Sequence, residues 1–192
     1  MRVIAGRARR LNLKTTPGFD TRPTADKIKE TLFNILNPYL PGCSFLDLFA
    51  GSGAIGIEAL SRGASICVFA DNDKRAVSCI NENLKFTRLE EGARVFSKNA
   101  LAAISQLSAE KYKFDIVYLD PPYRGGFEEE TLRVLAESRI IDENSMVILE
   151  ALKETKLDFL GNLPYETVRI KDYKNNRHIF LKLLVKTPGG QS

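Results

Sequence analysis

No stretch of this 192-residue chain approaches the roughly 20 consecutive apolar residues that a membrane-spanning helix needs, so no membrane association is expected. Met1 to Leu13 also lack the apolar run of a signal peptide, and a cytoplasmic protein is the expectation. Cysteine is scarce. Cys43, Cys67 and Cys79 are odd in number, lie far apart and form no CxxC pair, which excludes a disulfide framework and a zinc site and leaves reduced, partly buried thiols. No metal is expected. The single histidine, His178, has no partner motif in the sequence around it and reads as structural.

Acidic residues are missing from the first 19 positions, where Arg2, Arg7, Arg9, Arg10 and Lys14 give a local charge of +5. The whole chain carries only +4, so the remainder sums to −1 and the basic excess sits in one short arm. A basic arm on a near-neutral body suits a polyanion that docks on one side; its plainer reading is a solubilising tail.

What is present is enough for one core: 44% of the residues are apolar, and the length leaves little room for a second domain. The expected division is a basic arm over 1–20, one domain over 21–186 and a disordered tail over 187–192. After the turn at Pro17-Gly18, Arg22-Pro23-Thr24 leads into a helical pattern with Ile28, Leu32, Ile35 and Leu36 on one face, Thr24 capping it and Asp26 in its first turn. Strands are expected at Ser44 to Phe49, Ser65 to Ala70, Ala93 to Ser97, Phe114 to Leu119, Ser145 to Glu150, Tyr165 to Ile170 and His178 to Val185. Helical spacing lies between them in Ile55, Ala59 and Arg62, in Val77, Ile80 and Leu84, and in Leu132, Leu135 and Ala136. This alternation implies an α/β fold, a doubly wound and mostly parallel seven-stranded sheet with helices on both faces. The link Lys171 to Arg177 is too short for a parallel crossover, so the last strand is expected to run antiparallel.

Where the first strand hands over to the next helix stands Asp47-Leu48-Phe49-Ala50-Gly51-Ser52-Gly53-Ala54-Ile55-Gly56, placing a cofactor site at the carboxyl edge of the sheet. Gly51, Gly53 and Gly56 spell GxGxxG, and Asp71 follows Gly51 by 20 residues, as in a dinucleotide fingerprint whose acid holds a ribose hydroxyl. Asp47 argues otherwise. A carboxylate four residues before the first glycine would repel a pyrophosphate, whereas S-adenosylmethionine carries an ammonium and a sulfonium and no phosphate. Asp73 could share the ribose role but is equally explained as a helix cap.

Asp120-Pro121-Pro122-Tyr123 follows the fourth strand at the same edge. Two prolines remove two backbone donors and hold the loop extended, so the Asp120 side chain, the free Pro121 carbonyl and an aromatic plane converge. Such a site can take both N–H groups of an exocyclic base amine and leave its nitrogen lone pair aimed at a methyl donor, while Tyr123 stacks on the base. Methylation at a ring carbon would need a cysteine nucleophile, and none stands in a Pro-Cys turn.

The run FLDLFAGSGAIGIEAL resembles the first cofactor motif of the class I methyltransferases. That block, Arg2-Val3-Ile4-Ala5-Gly6-Arg7, the run Arg22 to Asn34 and Asp-Pro-Pro-Tyr together resemble the bacterial 16S ribosomal RNA guanine-N2 methyltransferases, of the type acting on guanine 966, from Arg2 to about Val185. The resemblance implies S-adenosyl-L-methionine as cofactor. Its methionine end would be served by Asp47 and the loop Phe49, Ala50, Gly51, Ser52 and Gly53, its ribose by Asp71 with Asn72, and its adenine border by Asn99 and Ala100. It further implies that Arg22, Thr24 and Lys27 lie near cofactor and target, that Arg124 contacts phosphate, and that the arm forms a small β-hairpin whose Arg2, Arg7, Arg9, Arg10 and Lys14 touch RNA. Arg22 could instead pair with a nearby acid, Thr24 cap its helix and Lys27 stand in solvent. The expected partner is 16S ribosomal RNA in a small-subunit particle with ribosomal proteins, the enzyme being a monomer. Rival readings are an amino-methyltransferase of another RNA or of DNA adenine, a nucleotide-dependent dehydrogenase, and an assembly factor without turnover.

Overall fold

Four short apolar runs form the middle of the sheet. In the computed structural model, which describes residues 1–15, 23–122 and 126–184, β1 (Ser44–Leu48), β2 (Ile66–Asp71), β4 (Ile116–Leu119) and β5 (Met146–Leu152) are buried along most of their length, as strands covered on both faces must be. With β3 (Ala93–Ser97), β6 (Tyr165–Asp172) and β7 (Asn176–Leu183) they form one sheet in the order β3-β2-β1-β4-β5-β7-β6. β1 to β5 pair in parallel, and β7 runs antiparallel between β5 and β6.

Helices α1 (Pro23–Leu36), α2 (Ala54–Ser61), α3 (Lys74–Thr87), α4 (Ala100–Ala109) and α5 (Phe127–Glu137) divide between the two faces. Leu32, Phe33, Ile57 and Ile80 pack with Phe45 and Phe69 on one side, and Ile104, Leu107, Leu132 and Leu135 with Leu46 and Val117 on the other. Helix α4 is an addition to the expected elements, with Ala103, Ile104 and Leu107 as its buried stripe. The β6–β7 connection is also tighter than expected, only residues 173–175, because both strands run on into the polar link.

Helix α1 corrects one expectation. It begins at Pro23, so Thr24 is its second residue and not its cap; proline suits that first position because it has no N–H to leave unpaired. Asp73 does cap α3, accepting from the Arg75 N–H at 2.8 Å, and Asn99 caps α4, accepting from the Ala102 N–H at 2.8 Å. Arg22, Tyr123, Arg124, the Pro17-Gly18 turn, the tail 187–192 and the side chain of Thr24 lie outside the described residues.

The basic arm is a docked element, not a tail. One antiparallel bridge joins Arg2 to Asn12, where a fuller hairpin was expected, and Val3, Ala8 and Leu13 insert into the core beside Leu32 and Phe33. The backbone N–H groups of Ile4 and Ala5 donate to the Glu58 carboxylate at 2.8 and 3.0 Å. Glu58 is fully buried on α2, where Lys29 at 3.3 Å and Arg62 at 2.7 Å balance its charge. Gly6 passes so close to α2 that a side chain there would meet the Ser61 carbonyl.

Candidate active site

Parallel pairing sets Leu48 of β1 beside Leu119 of β4, so the glycine loop and Asp120-Pro121-Pro122 leave the sheet side by side at one edge. The loop is built for close backbone approach. Phe49, Gly51 and Gly53 all have positive φ, at 64°, 56° and 75°, and a side chain added at Gly51 would meet nothing within 4 Å. Non-glycine Phe49 in that conformation marks local strain of the kind that clusters at functional sites. Ala50 is buried beneath the loop, while Phe49 and Ser52 are half-buried at its rim.

Asp71, at the end of β2, reaches across to the loop. One of its carboxylate oxygens accepts from the Gly51 N–H at 2.8 Å and the other from the Asp73 N–H at 2.9 Å, so each retains accepting capacity on a half-buried carboxylate. Asn72 beside it is exposed. Asn99 is exposed and spends its side-chain oxygen on the α4 cap; Ala100 behind it is buried.

Asp47 differs from the expectation. It is 1% exposed and turned under the loop, where it accepts from the Gly56 N–H at 2.9 Å, in the first turn of α2. Burial pushes its carboxyl up to about 7 against the opposing pull of that hydrogen bond, and the nearby Asp71 charge adds to the rise. It ties β1 to α2 and does not itself line the open side of the loop. Its place also fills the helix N-terminus that a pyrophosphate would use.

Asp120 is half-buried, with Pro121 buried and Pro122 exposed. Burial, then the charges of Glu150 and Asp47, push its carboxyl well above the ordinary carboxylate range. Glu150 on β5 was missed by the sequence reading. Its carboxylate accepts from the Tyr118 hydroxyl, from Asn176 and from His178 Nε2 at 3.0 Å, while Tyr173 sits 3.0 Å from His178 Nδ1. Burial alone would raise Glu150; the hydrogen bonds from His178, Tyr118 and Asn176 outweigh it and hold it below the usual value. His178, read from sequence as lacking a partner, is thus a fully buried member of a polar chain. The available signal was a lone acid in MVILEAL and a lone histidine in the strand that pairs with it.

Among the cations named for RNA, Arg7, Arg9, Arg10 and Lys27 are exposed. Arg2 pairs with Asp26 at 3.4 Å and Lys14 with Glu82 at 2.6 Å, both at the surface. Among the described residues no group of three His, Cys, Asp or Glu side chains is placed to hold a metal ion, and no helix is long and apolar enough to cross a membrane.

The strand order, the antiparallel seventh strand and a glycine loop at the β1–α2 turn are the architecture of the class I methyltransferases. Within that class the chain belongs to the family described as Conserved hypothetical protein 95, whose pattern matches residues 1–182. YlbH of Bacillus subtilis is 40% identical over 164 residues, 85% of this chain and 89% of that one. Ribosomal RNA small subunit methyltransferase D of Haemophilus influenzae is 37% identical over 160 residues, 82% of this chain and 81% of that one. The solved structure of yhhF from Escherichia coli superposes with a TM-score of 0.82 at 31% identity, covering 97% of this chain and 99% of that one.

Proposed function

We propose that this protein transfers a methyl group from S-adenosylmethionine to the exocyclic N2 amino group of a guanine, of the guanine-966 type, in 16S ribosomal RNA. The observation that carries it is the pairing of β1 with β4, which brings an open glycine loop and an Asp-Pro-Pro turn to one rim. The loop fits the donor. Gly51 offers open backbone, Asp71 keeps free lone pairs for ribose hydroxyls, and Asn99 and Ala100 border the adenine. Asp47 acts through the loop it braces rather than by contact. When bound, S-adenosylmethionine supplies an electrophilic methyl on its sulfonium.

The chain's own part is orientation and proton removal. Asp120 and the Pro121 carbonyl accept the two amine N–H groups, Tyr123 stacks on the base, and Asp120 takes the proton that leaves once nitrogen has gained its methyl. The docked arm presents Arg7, Arg9 and Arg10 to phosphates, with Arg2, Lys14, Lys27 and Arg124 as further contacts and Arg22 and Thr24 near the donor. The relatives named as ribosomal RNA small subunit methyltransferases support ribosomal RNA as substrate. A small-subunit particle is the proposed form, acted on by a monomer in the cytoplasm. Guanine N2 faces the minor groove of a duplex, which favours an unpaired loop as target.

The test is radiolabelled methyl transfer to 16S RNA, small-subunit particles and duplex DNA, followed by nucleoside mass spectrometry. N2-methylguanosine from ribosomal material is expected; N6-methyladenosine from DNA would overturn the guanine assignment. Asp120→Ala is expected to abolish turnover while donor binding survives, and loss of both together would remove its assigned role.

A further inference from the structure

Behind Asp120 a polar chain links β4, β5 and β7 through Glu150. Val147, Ile148, Leu149 and Ala151 around Glu150 on β5 are fully buried, so this carboxylate and its three donors form a polar group inside an apolar part of the sheet. A buried carboxylate that takes three donors is costly to assemble, and its charge acts strongly on neighbouring groups through the low-dielectric interior.

Register shows where that charge falls. Parallel pairing of β4 and β5 runs to Leu119 beside Leu149, so Asp120, the first residue past β4, and Glu150, the next residue of β5, follow that last pair at the same end, and antiparallel pairing sets Glu150 next to His178. Directly paired residues share a face, and so do residues two apart. Tyr118, Glu150 and His178 therefore line one side of three adjacent strands, joined by the Tyr118 hydroxyl bond to Glu150, and Asp120 leaves the end of β4 two residues past Tyr118. Among the described residues, the titratable groups along this end of the sheet are Asp47 on β1, Asp71 at the end of β2, Tyr118 on β4, Glu150 on β5, His178 on β7 and Tyr173 in the turn before it, and the charges of Glu150 and Asp47 act on Asp120. Glu150 alone of the carboxylates there is held by three side-chain donors. Asp47 has one backbone donor and Asp71 two.

We propose that Glu150 is a positioning residue that sets the proton affinity of Asp120, with Tyr118, Asn176 and His178 fixing its negative charge and Tyr173 fixing His178. This rests on the methyl-transfer reading. In that reaction the amine nitrogen forms a bond to the methyl carbon, the electron pair of the broken carbon–sulfur bond stays on sulfur, and one N–H proton passes to the Asp120 carboxylate. The base amine is a weak nucleophile because its lone pair is delocalised into the ring, and a more basic acceptor on its N–H lets that pair build up on nitrogen as the methyl arrives. A fixed negative neighbour in a buried setting raises the affinity of Asp120 for that proton, and Glu150 never leaves its own bonds. The Nε2–H tautomer of His178 fits both its partners, donating to Glu150 and accepting from the Tyr173 hydroxyl.

The experiment is the pH profile of kcat for methyl transfer into small-subunit particles by the parent enzyme, Glu150→Gln, Glu150→Asp and Tyr118→Phe, with donor affinity by calorimetry and a thermal melt for each. In Glu150→Gln the acidic limb is expected to move to lower pH and plateau kcat to fall roughly tenfold, with KM and donor affinity unchanged. Glu150→Asp, which keeps the charge, is expected to restore the limb toward its parental position. Tyr118→Phe weakens the hold on that charge and is expected to move the limb in the direction of Glu150→Gln by less; it decides the matter if Glu150→Gln does not melt cooperatively. An acidic limb that stays in place in a folded variant overturns the proposal, as does loss of activity in Glu150→Asp equal to that in Glu150→Gln. Absence of transfer by the parent enzyme instead removes the proposed function and, with it, this inference.

Discussion

Asn83 donates to the Ser52 carbonyl across 2.9 Å, from a buried side chain on α3 that also grips the N–H and C=O of Lys14. One amide thus joins the end of the basic arm to the glycine loop. Asn83→Ala would leave these backbone groups without their partner, a loss of about 1–3 kcal/mol for a buried group. A lower melting temperature together with weaker donor binding is expected in calorimetry, whereas a purely structural link would lower the first and spare the second.

Asp71 holds the loop through the Gly51 N–H. Asp71→Ala removes both that brace and the acceptors assigned to the ribose. Losing hydrogen bonds to a charged group at about 1.5–3 kcal/mol corresponds to donor affinity weaker by roughly 10- to 100-fold, measurable by titration calorimetry. The fold is expected to survive, because Asp71 is half-buried at a strand end.

The pH dependence of stability has a sign that Asp47 sets. Its folded value of about 7 exceeds the 3.8 of an unperturbed Asp, so between those values the folded state binds more protons than the unfolded one. Its contribution is therefore complete below about 3.8 and is lost as pH rises through about 7. Asp47→Asn, which keeps an acceptor for the Gly56 N–H, is expected to flatten that part of the stability–pH curve; denaturant melts from pH 4 to 8 read it directly. An unchanged slope would mean that Asp47 remains ionised when folded.

Gly56 is held by packing rather than by φ. A methyl group there would stand 2.3 Å from the Phe69 ring and 2.5 Å from Cys67 Sγ, both fully buried on β2. Gly56→Ala must push α2 off the sheet or force those side chains from their rotamers, at about 1–3 kcal/mol. A melting temperature equal to the parent's would show that α2 can shift freely.

Much was legible before the structure because it is written locally. Apolar runs separated by helical spacing gave the order of strands and helices, the seven-residue link before the last strand gave its direction, and the glycine loop and Asp-Pro-Pro-Tyr stood at strand ends where ligands bind. Helix α4 was not legible because Ala100 and Ala103 make up half of its buried face, so only Ile104 and Leu107 carry a strong apolar signal along the chain.

What only the tertiary structure decided is which distant residues meet. Residue spacing places a side chain on a face of its own strand but cannot say which strand lies alongside, and β7 slipping between β5 and β6 is what sets His178 against Glu150. The same holds for Glu58 receiving the arm and for Asp47 turning inward: each charge looks free along the chain, and its partners are supplied by segments that arrive from elsewhere. A buried charge must find such partners, so the fold, not the local pattern, assigns its role.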